Sequence, residues 1–231
     1  IFLNEKLLAR VKSIYDKKEQ LNLSTEDAKL LEDLYESFKA NGATLNKDDK
    51  EKYRKLSMDL SMLTLQFDQN ALKDKNRFEL LITDENELSG LPESARDAAA
   101  MLAKSKDKNG WLFNLSAPSY IPFMRYSDKR DLREKMYREY MSVGNKGDEF
   151  DNKDIIKKIV NIRLEIAQLM GFKNYAEYAL EHTMAKNSAN VYKLLNQLLE
   201  AYKPIAINEY NAVEGFALGT EKENITVMPW D

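Results

Sequence analysis

Hydrophobic residues between positions 155 and 186 follow a helical period that is interrupted once. Five of them are spaced four, three, four and three residues apart, namely Ile155, Ile159, Ile162, Ile166 and Leu169. This spacing places them on one face of a helix. Gly171 follows, where a glycine can take the positive φ that ends many helices, and Asn174 with Glu177 fits the capping box of a second helix. The stretch therefore predicts two helices that meet at a tight, buried corner.

The first 75 residues show the same period in three further segments. Ser24 and Asn46 fit the N-cap positions of two of these helices. The helix after Ser24 is predicted to bury Leu31, Leu34, Tyr35 and Phe38. The helix over about 47–74 is the longest, and its hydrophobic residues repeat as in a coiled-coil seam at Tyr53, Leu56, Leu60, Leu63 and Phe67. A second apolar side predicts that this helix is covered on more than one face, and it consists of Met58, Met62 and Leu65.

The pattern changes between residues 76 and 150. FELLIT (78–83) and WLFNL (111–115) are short and rich in β-forming residues, so they predict two strands with a helix between them. Pro118 and Pro122 are expected to break the chain. A helix capped by Ser127 should run to about 141 with Leu132, Met136 and Tyr140 inward and with Arg133, Glu134, Lys135 and Arg138 outward.

The remaining pattern completes the prediction of the fold class. A loop over 144–151 is the expected boundary before the predicted corner, and Pro204 should kink a long helix that begins near Val191. The chain is thus predicted to be mostly α, with helical hairpins and one small two-stranded β element. Three segments are expected within one larger domain, at 1–75, 76–150 and 151–231.

Composition supports a globular helical protein and excludes several partners. Eight glycines and five prolines in 231 residues are few, which favours long helices over many turns. The 35 basic and 38 acidic residues are spread along the chain, so no basic block indicates a nucleic acid or a membrane surface. No apolar run approaches the roughly 20 residues of a membrane span. The absence of cysteine excludes disulfides and thiolate chemistry.

Candidate catalytic and metal-binding residues are few. His182 is the single histidine, so the two imidazoles of an H-E-x-x-H zinc site cannot be supplied, and without a G-x-S-x-G motif a serine triad has little support. Two carboxylate clusters are interpreted as helix-capping groups, with calcium binding as an alternative: Asp48, Asp49 and Glu51, and Asp84, Glu85 and Glu87. We therefore predict no catalytic, cofactor-binding or metal-binding residue in this chain.

Two further groups have an open interpretation. Arg163 and Glu165 are two positions apart on a helix, so their side chains cannot pair with each other. Each is expected to contact a different neighbouring residue, and contact with a substrate is the alternative. Four tyrosines are close in sequence, and they are interpreted as packing residues, with peptide binding as an alternative: Tyr120, Tyr126, Tyr137 and Tyr140.

Several segments of the sequence resemble the thimet oligopeptidase and peptidyl-dipeptidase family of zinc metallopeptidases, and they occur in the same order as in that family. They are NEKLLARVKSIY, FELLITDENELSGLPESA, DKRDLREKMYREY, IRLEIAQLMGF with NYAEYAL, and the terminal PWD. The resemblance implies the central helical part of a neurolysin-like fold, ahead of the zinc helix. It also implies zinc and short peptide substrates for a longer parent protein, with no catalytic residue in this segment.

The expected function is therefore that of a non-catalytic scaffold segment in a peptidyl-dipeptidase. The alternative is a freestanding helical module that binds a protein or a peptide. The chain looks like an internal fragment, so we expect it to expose apolar surface, including Trp230, and to form homodimers. The compartment stays open between the cytoplasm and the periplasm of a bacterium.

Overall fold

The computed structural model describes residues 2–220 and 226–231 and is mostly helical. Within these ranges the helices are, in chain order, α1 (Glu5–Tyr15), α2 (Thr25–Ala40), α3 (Lys47–Arg77), α4 (Glu93–Ser105), α5 (Ala117–Tyr126), α6 (Arg130–Met141), α7 (Lys153–Leu169), α8 (Tyr175–Leu180) and α9 (Ser188–Thr220). The strands are β1 (Leu80–Ile82) and β2 (Trp111–Phe113), and short 3-10 turns lie at Lys18–Gln20 and Glu85–Leu88. The predicted fold class, mostly α with one two-stranded sheet, is confirmed.

The chain forms two compact units. The first contains residues 1–64 and 157–194, and the second contains residues 65–156 and 195–231. The predicted division at residues 75 and 150 stays a prediction.

In the first unit, α1 and α2 pack around a small aromatic core. Phe38 is fully buried, and its ring meets that of Phe2 edge to face at 5.3 Å. Ser24 caps α2 by accepting the N–H of Asp27, as predicted. Leu34 is 38% exposed, so its predicted burial is wrong. At about 100° per residue, Leu34 lies on the opposite side of Phe38 from Leu31 and Tyr35, which are the α2 residues that pack against this core.

The predicted tight corner between α7 and α8 is confirmed, but α8 contains no buried residue, so the predicted burial holds only for α7. Ile155 and Ile166 are buried on the inner face of α7, and Gly171 has a φ of +88°. Asn174 accepts the N–H of Glu177 at the start of α8. The seam of α3 packs here too, since Tyr53 and Leu56 share a hydrophobic cluster with Ile166.

In the second unit, β1 and β2 pair antiparallel with Leu81 opposite Leu112. Both strands are shorter than predicted, and they pack with α4, α5 and α6 around one core. Phe123 of α5 is fully buried in it and meets Phe113 at 4.8 Å. The turn before β2 needs its glycine, because Gly110 has a φ of +114° and a Cβ there would lie 2.3 Å from the carbonyl oxygen of Ile82.

The two prolines expected to break the chain lie instead inside α5. Pro118 occupies the first turn, where no intrahelical partner exists for an N–H. Pro122 lies one turn later, so the bond it cannot make is the one to the carbonyl of Pro118. The prediction of a break is therefore wrong, because one lost bond near a helix start is offset by burial of Phe123.

Two helices expose much apolar surface. Met58, Met62 and Leu65 of α3 are 64%, 67% and 52% exposed, so the predicted second covered side of this helix is wrong for the chain as described. Helix α9 is 33 residues long with Pro204 inside it. Its large apolar side chains are exposed on every side, and those at least 48% exposed are Tyr192, Leu194, Leu195, Leu199, Tyr202, Ile205, Ile207, Tyr210, Val213, Phe216 and Leu218. The kink predicted at Pro204 stays a prediction. No described helix combines the length and the hydrophobicity that crossing a membrane requires.

Candidate functional site

His182 lies at the edge of a recess in the first unit that Glu36, Lys39 and Phe172 also line. Its Nε2 is 3.4 Å from a carboxylate oxygen of Glu181, and the imidazole is 47% exposed. A half-exposed histidine beside one flexible carboxylate is a solvated surface group. Among the described residues, no group of three or more His, Asp or Glu side chains is arranged to hold a metal ion.

Of the two carboxylate clusters, only the one at Asp84 caps the backbone, as interpreted from the sequence. Asp49 stands in the first turn of α3, where Asn46 accepts its N–H at 2.9 Å. Asp84 accepts the N–H of Asn86 at 2.9 Å and begins the 3-10 turn Glu85–Leu88. The Asp84 oxygen thus meets a backbone N–H at an element start, whereas the Asp49 carboxylate accepts from the side-chain amide of Asn46.

Arg163 and Glu165 lie on the exposed side of α7, not on its buried face. The guanidinium of Arg163 stands 5.2 Å above the ring of Tyr175, which is the separate neighbour expected for it. This cation–π contact fixes the first residue of α8 against α7.

The four tyrosines separate into different contacts. Tyr120 and Tyr140 stack at 4.3 Å, and burial raises the pKa of the Tyr120 phenol. Tyr137 lies 5.8 Å from the ring of Trp230, while Tyr126 is 47% exposed. Three of the four thus pack against other rings, as the packing interpretation expects, and they do not form one binding surface.

Trp230 and Asp231 bind to α6 in an arrangement that the sequence did not predict. The Asp231 carboxylate accepts hydrogen bonds from Nε and Nη2 of Arg130, at 2.7 and 2.8 Å. Arg133 donates to the carbonyl oxygen of Trp230 at 2.7 Å, and Arg138 lies 4.8 Å above the indole ring. The Arg130 guanidinium holds the pKa of Asp231 below its usual value.

This arrangement corrects two predictions. Trp230 is 5% exposed, so it does not belong to the exposed apolar surface. Arg133, predicted to point outward, has a side chain only 15% exposed. The reason is that planar guanidinium groups match a carboxylate and a carbonyl supplied by a distant part of the chain. Sequence spacing carries no sign of such a contact, since Arg130 and Asp231 are 101 positions apart.

A second polar network, also missed, surrounds the buried carboxylate of Asp74. Its Oδ2 accepts the N–H of Gly144 at 2.7 Å, and its Oδ1 lies 2.7 Å from Nε of Arg77 and 3.3 Å from Nζ of Lys146. The Asp74 side chain is 0% exposed. Every oxygen of this buried charge therefore has a donor, which is the condition for burying it.

Asn152 extends the network. Its Oδ1 accepts from Asn70, and its Nδ2 donates to the carbonyl of Phe67, each at 3.1 Å. Together with Asp74, these contacts attach the loop before α7 to the end of α3. A sign was present in the sequence, because Asn70 and Asp74 continue the three-four spacing of the α3 seam with polar residues.

Neither network offers reactive chemistry. The carboxylates of Asp74 and Asp231 are neutralised by arginine or lysine, and their oxygens are occupied by hydrogen bonds. Such groups have little free capacity to hold a metal or to accept a proton from a substrate. What both networks do is join segments that are distant in sequence within the second unit.

Comparison with known proteins shows which peptidase family this chain is similar to. Residues 123–231 match the family model described as "Peptidase family M3". The chain is therefore related to the peptidases of this family, and the resemblance stated from its sequence is confirmed.

Several of the individual relatives are peptidases of bacteria. The chain is 37% identical over 214 residues to oligopeptidase A of Haemophilus influenzae, covering 90% of this chain and 31% of that protein. It is 33% identical to oligopeptidase A of Escherichia coli, covering 99% of this chain and 34% of the relative. Dipeptidyl carboxypeptidase of Escherichia coli is 29% identical to this chain, and the match covers 100% of this chain and 34% of the relative. The chain thus spans about a third of the length of the curated relatives it matches.

Proposed function

We propose that this chain is a non-catalytic helical scaffold segment of a zinc-dependent oligopeptidase or peptidyl-dipeptidase. Its relatives carry the names oligopeptidase A and dipeptidyl carboxypeptidase, and they support a peptidase that acts on short peptides. Because the chain spans only about a third of their length, the peptidase activity is assigned to the whole protein and not to this segment.

The observation that carries the scaffold role is the exposure of α9. A soluble helix normally has one apolar stripe, and a helix that is apolar on all sides is typical of a protein interior. Leu194, Leu199 and Ile205 of α9 are 57%, 58% and 51% exposed, although such side chains are usually buried. We infer that further polypeptide of the same protein covers this helix.

The donors in this chain do not fit zinc, so the metal is assigned to residues outside it. Catalytic zinc in peptidases takes three protein ligands, commonly two histidines and a carboxylate. One histidine in 231 residues cannot provide the pair, and His182 has a single carboxylate beside it. When bound to the whole protein, zinc would supply an activated water for peptide hydrolysis. The role of this segment is to hold in place the helices around the zinc site.

The direct test compares the 231-residue chain with the longest reading frame that contains it. We expect the long protein to hydrolyse a short internally quenched peptide, to lose this activity with a chelator and to regain it with zinc. The 231-residue chain alone should show no hydrolysis and far less than one zinc per chain. Tightly held stoichiometric zinc in the short chain would contradict the proposal.

The same experiment distinguishes the scaffold proposal from the alternative, a freestanding binding module. If the long reading frame contains no H-E-x-x-H helix and shows no hydrolysis, the scaffold proposal fails. Stable binding of short peptides by the 231-residue chain would then favour the module.

A further inference from the structure

A cavity of about 230 Å³ lies in the second unit between α4, β2 and the first turn of α5. Its walls are apolar and include Ala98, Leu102 and Leu112. Leu112 is 1% exposed and forms part of the floor, whereas Ala98 is an exposed residue at the rim. The space exists because α4 presents alanines here, whose side chains end at Cβ. A dry cavity of about 150 Å³ can already hold a benzene ring.

The polar side chains that line this cavity are those of Asn114, Ser116 and Ser119. Asn114 Oδ1 accepts both the N–H and the hydroxyl of Ser116, at 3.0 and 2.6 Å, which fixes the orientation of the amide. The Nδ2 group therefore faces the other way, and no described residue accepts from it. Ser119 Oγ accepts the N–H of Asn114 at 3.0 Å, so its hydroxyl hydrogen is also available.

We propose that this cavity binds a compact apolar group that carries a carbonyl or carboxylate oxygen. The apolar part would fill the space beside Ala98 and Leu112, and the oxygen would accept from Asn114 Nδ2 and Ser119 Oγ. Apolar walls with a few fixed polar groups are the usual composition of a small-ligand site. Two sources share this chemistry, a free apolar carboxylic acid and an apolar residue within a peptide. The inference does not depend on the proposed function.

Three probes separate the two parts of the ligand. Phenylacetate has a ring and a carboxylate, toluene has the ring alone, and acetate has the carboxylate alone. In a methyl NMR titration of the 231-residue chain, phenylacetate should shift the methyl signals of Ala98, Ala99 and Leu112. Its Kd should be about tenfold lower than that of toluene or acetate, since both parts contribute.

A fourth probe separates the two sources. The blocked peptide acetyl-Ala-Phe-Ala-amide carries the ring with amide carbonyls only. If it displaces phenylacetate from the same methyl groups, the site takes residues of peptides. If it does not, while phenylacetate binds, the site takes small carboxylic acids.

Matched variants locate the binding. Ala98→Leu adds bulk at the rim without changing a core residue, and it should weaken phenylacetate binding about tenfold. Asp97→Leu places the same side chain at an exposed position of α4 that does not line the cavity and should leave binding unchanged. Asn114→Asp keeps the acceptor for Ser116 but replaces the donating group with oxygen, so it should weaken phenylacetate and leave toluene unaffected.

The proposal is overturned by equal affinity for phenylacetate, toluene and acetate. It is also overturned if Ala98→Leu binds phenylacetate as well as the wild-type chain. Both outcomes are readable even if Asn114→Asp fails to fold, because Ala98 is an exposed residue.

Discussion

The core around the small sheet and the helix α9 are built from the same residue types but differ in what surrounds them. Leu115 and Phe123 of the core are 0% exposed, whereas Leu199 and Phe216 of α9 are 58% and 74% exposed. The hydrophobic pattern indicated order at both places. The difference shows that local pattern decides which residues form an element, while the neighbouring elements decide whether burial stabilises it.

The difference also indicates where the stability of the chain resides. Burial contributes about 25 cal/mol for each Å² of apolar surface removed from water. The sheet core gains this contribution from α4, α5 and α6, and the polar networks of Asp74 and Asp231 hold its connecting segments. Helix α9 gains little from its own surroundings.

The largest effect is expected from a matched pair of leucine substitutions. Leu115→Ala leaves a cavity in the core and should lower the free energy of unfolding by about 2–5 kcal/mol. Leu199→Ala removes the same atoms from an exposed position, and it should change the free energy by less than about 0.5 kcal/mol. Urea denaturation of both variants measures the difference. Equal losses would show that α9 is buried in solution.

A smaller loss should follow from removing the buried charge in the second unit. Asp74→Ala leaves the Gly144 N–H and the Lys146 ammonium without their buried acceptor, which should cost about 2–3 kcal/mol. Asp59→Asn, at an exposed position of the same helix, is the control and should be nearly neutral. Proteolysis within 144–151 should become faster in Asp74→Ala only. An unchanged denaturation midpoint would refute the anchoring role of this carboxylate.

The exposed apolar surface of α9 predicts self-association of the 231-residue chain. We expect weak two-fold dimers at tens of micromolar, because a self-complementary apolar patch is satisfied by one partner. Leu194→Lys with Leu198→Lys should weaken the association about tenfold, equivalent to about 1.4 kcal/mol, without lowering stability. Sedimentation equilibrium is the measurement. A wild-type chain that stays monomeric would contradict the expectation.

The smallest expected effect is the pH dependence contributed by Asp151. Hydrogen bonds from the Lys153 ammonium and from the N–H groups of Lys153 and Gly147 lower the pKa of Asp151 from 3.8 to about 2. Since the pKa is lower in the folded state, the stabilisation is fully present above about pH 4 and is lost as the pH falls toward about 2. The difference in stability between wild type and Asp151→Asn should shrink over this range. A difference that stays constant from pH 5 to about 2 would be inconsistent with the lowered pKa.

The caps at Ser24 and Asn174, the corner at Gly171 and the strand pair followed from sequence because each depends on residues a few positions apart. Ser24 with Asp27 and Asn174 with Glu177 are such cases. The cap predicted at Ser127 was wrong, because α6 begins at Arg130 with Lys129 at its N-cap position. The sequence prediction was wrong at Pro122, because proline disfavours a helix locally but the burial of Phe123 stabilises α5 through this position. It also missed Asp74 as a buried residue, although the α3 seam passes through it.

The sequence by itself determined that this chain is helical, carries one small sheet and lacks the histidine pair of a zinc peptidase site. Tertiary structure alone decided that Arg130 and Arg133 bind Trp230 and Asp231. It also decided that the alanines of α4 leave a cavity beside Leu112. The physical reason is the sequence separation of the interacting residues. Helix caps and hydrophobic periodicity involve residues within about one or two helical turns, so the spacing of residues in the sequence reveals them. A salt bridge between residues 101 positions apart and an unfilled space depend on how elements pack, which no local pattern contains.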